Sequence, residues 1–136
     1  MSEQLSVRAV RGATQLDSDE REHLLDRVAE MVRGVMNANE LAVDDFISII
    51  FTATSDLTSE FPAYAARQLG FHDVPLVCAR ELEIDGSMPR VVRMMAHVET
   101  PRTREDITHV YLHGAAALRR DLTNVRALPD EAPADE

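Results

Sequence analysis

Cysteine occurs once in these 136 residues, at Cys78, and tryptophan not at all. A single thiol excludes an intramolecular disulfide framework and suits a reducing compartment, so a cytoplasmic protein is expected. Cations are scarce: 14 lysines and arginines stand against 24 aspartates and glutamates, a net charge of −10. Nucleic acid and anionic membranes are held by a surplus of positive charge, so neither is an expected partner. No apolar run approaches the roughly 18 residues of a membrane span, and no charged-then-apolar leader precedes the first strand-like segment. A Gly-rich phosphate loop, a CxxC pair and a GxSxG elbow are all missing. His109 and His113 have a spacing that would suit metal on a helix, but "HVYLH" reads as strand and no third ligand stands out. No metal or other cofactor is expected, and no local pattern marks an activated nucleophile. Covalent machinery is thus absent from view, while local clusters of arginine remain able to hold a small anion.

What is present suits one soluble domain. Hydrophobic residues make up 45% and charged residues 28%, enough to bury a core, and the domain is expected to run over residues 1–127. The last stretch, "PDEAPADE", is acidic and Pro-rich, so residues 128–136 are expected to be a disordered tail. "VRAVRGAT" (residues 7–14) alternates as a strand. In the following segment Leu24, Val28, Met31 and Val35 recur at helical spacing with Leu25 and Val32 beside them. Asp17 or Ser18 can cap that helix, and its end falls near residues 37–39. "DDFISIIFTAT" (44–54) reads as a strand buried on both sides. "FPAYAARQLG" reads as a short helix with Pro62 at its first position and Gly70 as its stop. "VPLVCARELEI" (74–84) and "PRVVRMMAHVET" (89–100) read as strands, and the turn at Asp85-Gly86 makes them a hairpin candidate. "TREDI" suits one helical turn, "THVYL" a last strand and "GAAALRRDL" a short helix. The expected fold is therefore α+β, a mixed sheet of about five strands with one long helix and short helical segments. One helix cannot cover both faces of such a sheet, and a bare apolar face usually finds a partner subunit.

Arginine raises the sharper question. Arg8 and Arg11 fall on opposite faces of the first strand, and Arg93 sits among Val91 and Met95 in "RVVRMMAHV". A guanidinium on an inner strand needs an anion, because burying it unpaired costs several kcal/mol or more. Glu81, in "CARELEI", is a candidate structural partner, and exposure on a wet face is another. Two arginines in separate strands also suit a carboxylate ligand. Cys78 reads as a small buried hydrophobe rather than a nucleophile. Regular alternation places Cys78 and Glu81 on opposite faces, so a shared site would need a bulge or a strand end to re-aim one of them.

The strings "RAVRGAT", "ATSDLTSEFPA", "VPLVCARELEIDGSMPRVVRMM", "HVYL" and "GAAALRRDL" together resemble the β-rich, trimeric class of chorismate mutases, in order from Val7 to about Leu122. That resemblance implies a pseudo-barrel homotrimer with sites between subunits. It also implies rearrangement of chorismate to prephenate in phenylalanine and tyrosine biosynthesis, with no cofactor. By the same resemblance Arg93 faces the breaking ether bond, Arg11 and Tyr111 hold a carboxylate, and Glu81 accepts the substrate hydroxyl with Cys78 beside it. Phe61, Ala63, Leu76, Val77 and Leu118 form an apolar wall, and Arg67 and Arg119 stand at the rim. The chain departs from the family at Tyr64, where a lysine is frequent, which bears on one rim charge. Two other readings are a trimeric imine deaminase, which would not need Arg93 and Glu81 together, and a trimeric binding module without catalysis.

Overall fold

The alternating first segment becomes strand β1 (Ser6–Gln15), and the periodic segment after it becomes helix α1 (Arg21–Ala38). Strand β2 (Phe46–Ala53), helix α2 (Pro62–Gln68), strand β3 (Leu76–Arg80), strand β4 (Val91–Thr100) and strand β5 (Val110–Leu112) follow. These elements belong to a computed structural model that describes residues 4–118. One-turn 3-10 helices occur at Val43–Asp45, Arg104–Asp106 and His113–Ala115. The expected tail and the last four residues of "GAAALRRDL" lie outside the described residues, while the part that is described, residues 114–118, is helical as expected.

The strands form one open mixed sheet in the order β3-β2-β4-β1-β5. β4 is antiparallel to both β1 and β2, while β5 joins β1 and β3 joins β2 in parallel. This corrects the hairpin expected from the turn at Asp85-Gly86, since β3 and β4 are separated by β2. β3 also stops at Arg80, short of Ile84, and residues 81–90 form the connection that carries the chain across to β4. Tight-turn chemistry at Gly86 (φ 86°) is real, but it shapes a loop.

α1 covers one face. Leu24, Leu25, Val28, Met31, Val32 and Val35 are buried against Val10, Phe51, Met94, Ala96 and Val98 of the sheet. Each such side chain contributes roughly 1.5–3 kcal/mol relative to exposure, so this stripe outweighs any single cap. The start of α1 departs from expectation: Glu20 precedes it without a side-chain cap. Asp17 instead pairs with Arg27 at 3.1 Å, and Asp19 turns to the loop after β2. The far end is held by Asn39, whose Nδ2 donates to Val35 O and Thr108 O, each at 2.9 Å. Its Oδ1 accepts from the Thr108 N–H at 2.7 Å, tying α1 to the segment entering β5. The helix also explains Gly12, where a Cβ would lie 2.9 Å from Met94 Cγ and 3.1 Å from Met31 Cγ.

No helix among the described residues covers the other face. Cross-strand partners share a face, and Val77, Ile50, Met95 and Arg11 make one row across four strands. Val77, Ile50 and Met95 are 57%, 40% and 38% exposed, an apolar band presented to solvent. β2 is therefore buried on one side only, contrary to its reading as a doubly buried strand. No helix among the described residues is long and apolar enough to cross a membrane.

Candidate active site

The row next to that apolar band runs Ala79, Thr52, Arg93, Ala13, Tyr111 across all five strands. Arg93 and Tyr111 therefore stand on the open face, and Arg11 joins them from the neighbouring row. Glu81 lies just beyond the end of β3, its N–H still donating to Ala53 O at 3.0 Å. A cavity of about 290 Å³ is lined by Arg11, Thr52, Glu81, Arg93 and Tyr111, with Ile50 and Met95 as its apolar side.

Arg93 Nε is 3.1 Å from Glu81 Oε2, so the carboxylate that sequence offered as a structural partner is indeed its partner. The contact is an ion pair without hydrogen-bond alignment. Arg93 Nε and Tyr111 OH are both buried polar atoms with no hydrogen-bond partner among the described residues. Such atoms cost free energy unless something satisfies them, and here two of them share one cavity. Glu81 Oε2 also accepts a short hydrogen bond from the Thr52 hydroxyl. The Arg11 backbone N–H donates to His109 Nδ1 at 2.9 Å, where the short strand β5 has not yet begun. Beyond Tyr111, His113 takes a positive φ of 55° and its Nε2 lies 2.9 Å from Glu30 Oε1 on α1. Neither histidine joins a group able to hold a metal among the described residues.

A second cavity, of about 490 Å³, opens where β3 meets the loop after β2, and it is lined by Leu57, Ser59, Phe61, Cys78 and Arg80 among others. Phe61 is 67% exposed, an unusual position for an aromatic ring. Its loop is held by the start of α1. Asp19 accepts from the backbone and hydroxyl of Thr58 and from the Ser59 N–H, at 3.0–3.1 Å. Burial opposes the Asp19 charge, but hydrogen bonds from Ser59 and Thr58 outweigh it and hold the carboxyl below its usual range. Glu60 accepts from the Phe61 N–H and pairs with Arg21 at 2.7 Å, which lowers the Glu60 pKa and raises that of Arg21. The Arg21 guanidinium also lies 5.3 Å from the centre of the Tyr64 ring, so a cation stands near the position where the family's lysine is lacking.

The residues expected around one site thus fall into two groups within the chain. Arg11, Glu81, Arg93 and Tyr111 meet at the first cavity, while Phe61 and Cys78 meet at the second. Cys78 is opposite Phe51, on the helix side of the sheet, so alternation holds and Cys78 does not stand beside Glu81 in the same cavity. Val77 is on the open face, Leu76 is half-buried against the core, and Ala63 is buried within α2. Arg67 is exposed on α2 and Leu118 half-buried, while Arg119 lies outside the described residues. Thr52 was not anticipated. Its alternation with Ile50 and Phe51 was readable, but its position opposite Arg93 depends on register.

Fold and site define a class of protein in which charged side chains, Arg11, Arg93 and Glu81, line a small cavity on the open face of a mixed sheet. The family model for chorismate mutase type I matches residues 7–122. The chorismate mutase AroH of Thermus thermophilus is 41% identical over 121 residues, covering 88% of this chain and 99% of that protein. The AroH of Bacillus subtilis (strain 168) is 32% identical over 120 residues, covering 88% and 94%. A solved chorismate mutase from Clostridium thermocellum matches with a TM-score of 0.80 at 39% identity, over 81% of this chain and 98% of that one. The chain belongs to the chorismate mutase type I family and is an isomerase of aromatic amino-acid biosynthesis whose substrate is chorismate. The imine-deaminase reading falls with that assignment.

Proposed function

We propose that the chain works as a cytoplasmic homotrimer in which each active site joins the first cavity of one copy to the second cavity of its neighbour. The observation that carries this reading is the pair of unsatisfied polar atoms, Arg93 Nε and Tyr111 OH, in one cavity with Arg11. A dianionic ligand supplies the acceptors they need. The exposed Phe61 and the open apolar band of Val77, Ile50 and Met95 support a neighbour packed against this face.

Chorismate to prephenate is an intramolecular rearrangement, so the chain need supply only geometry and charge. Arg11 and Tyr111 hold a carboxylate, and Glu81 accepts the substrate hydroxyl. Arg93 donates to the ether oxygen, which gains negative charge as its bond breaks, and so stabilises the transition state more than the substrate. Phe61 and Val77 press on the ring side, with Ala63, Leu76, Cys78 and Leu118 behind them, favouring the compact conformer. Arg67 and Arg119 draw the dianion across an acidic surface. Residues 1–127 form the working domain, and 128–136 are a dispensable tail.

The test follows the loss of chorismate absorbance with purified protein, then acidifies to detect prephenate, alongside light scattering. The expected result is enzyme-dependent loss at a mass near three chains. A fully active monomer refutes the shared site.

A further inference from the structure

We propose that Thr52 is a positioning residue for the rearrangement, its hydroxyl fixing which oxygen of Glu81 faces the substrate. The inference rests on the roles proposed above for Glu81 and Arg93. Thr52 lies opposite Arg93 on one side and Ala79 on the other, in the row that passes through the first cavity. An ionised carboxylate only accepts, so the Thr52 proton goes to Glu81 Oε2. Arg93 Nε approaches that same oxygen at 3.1 Å. Both contacts fall on Oε2, and Oε1 has no partner among the described residues.

This one-sided arrangement has a chemical consequence. Arginine and a carboxylate prefer a two-bond fork, which is among the stronger polar contacts in proteins. Glu81 sits beyond the end of its strand, and among the described residues Thr52 supplies the one hydrogen bond that holds its carboxylate against rotating into that fork. A forked pair would engage the guanidinium edge required by the ether oxygen and would consume the oxygen offered to the substrate hydroxyl. The Thr52 hydroxyl keeps the pair open on one side.

A packing role makes the opposite forecast, because Thr52 lies in a strand, where valine has nearly the same shape and suits the backbone equally well. Thr52→Val, Thr52→Ser, Glu81→Gln and the double variant Thr52→Val/Glu81→Gln separate the two. Steady-state kinetics should show kcat of Thr52→Val lowered about tenfold or more, as expected for losing a hydrogen bond to a charged group, with KM changed by less than about threefold. Thr52→Ser keeps kcat within about threefold, and on the Glu81→Gln background the valine adds little further loss. Thr52→Val at full kcat while Glu81→Gln is impaired overturns this proposal alone. Thr52→Ser falling as far as Thr52→Val overturns it too. Glu81→Gln at full rate overturns the role of Glu81 and this proposal with it.

Discussion

Replacing Arg93 by alanine removes the donor proposed to meet charge that exists only as the ether bond breaks. The fold has little reason to suffer. The Arg93 side chain is 43% exposed, and Glu81 keeps both its Thr52 hydrogen bond and its backbone bond to Ala53 O. The rate should suffer, since losing one preorganised donor to developing charge costs about 10²–10³ in kcat, or roughly 2.7–4 kcal/mol. Because the ether oxygen is nearly neutral in the ground state, KM should move far less than kcat. Arg93→Lys recovers only part, as an ammonium cannot keep its contact with Glu81 and also reach the ether oxygen with a planar fork. The assay is chorismate consumption under saturating substrate, with circular dichroism and light scattering establishing that the variant is intact. An Arg93→Ala enzyme whose kcat stays within about tenfold of the parent would refute the electrostatic assignment.

Gly12→Ala should lower the melting temperature by a few degrees, because the added methyl meets the buried Met94 and Met31 side chains at 2.9–3.1 Å and overpacking of this kind costs about 1–3 kcal/mol; an unchanged or higher melting temperature means the two methionines yield freely. Asp19 has a depressed carboxyl pKa in the folded chain, so its contribution to stability is present above the unfolded value of about 4 and is lost as pH falls through the folded one. The difference in melting temperature between the parent and Asp19→Asn should therefore shrink on acidification, and a difference that grows instead would reverse the sign. No step of the rearrangement transfers a proton, so kcat should be nearly flat from about pH 6 to 9 and unaffected by EDTA, and a bell-shaped profile or inhibition by the chelator would point to other chemistry. Removing residues 129–136 should leave melting temperature and kcat unchanged, and a large fall in either shows that they dock.

Local signals carried much of the fold. Pro62 and Gly70 bracket α2 as read, and the apolar stripe of α1 is the one that packs. The order of strands was not legible, since a Gly86 turn between two β-like runs looks the same whether the runs pair or merely follow each other. The insertion of β2 between them is decided by long-range packing. Arg11, Glu81, Arg93 and Tyr111 could be named from their strings, yet alternation alone could not say that they converge. Thr52 escaped notice because a threonine in a strand needs no explanation until the register puts Arg93 opposite it.

α1 is tied to segments beside both cavities without lining either. Arg21 in its first turn and Asp19, two residues ahead of it, grip the Phe61 loop, its middle meets His113 through Glu30, and Asn39 at its end holds Thr108. At 18 residues it spans about 27 Å. Such a rod moves as one piece, so a tilt that loosens the Phe61 loop also shifts the segment that sets Tyr111. In the trimer proposed above those two segments would serve different substrates, and the helix would then link neighbouring reactions mechanically, giving strain from an occupied pocket a route to the next.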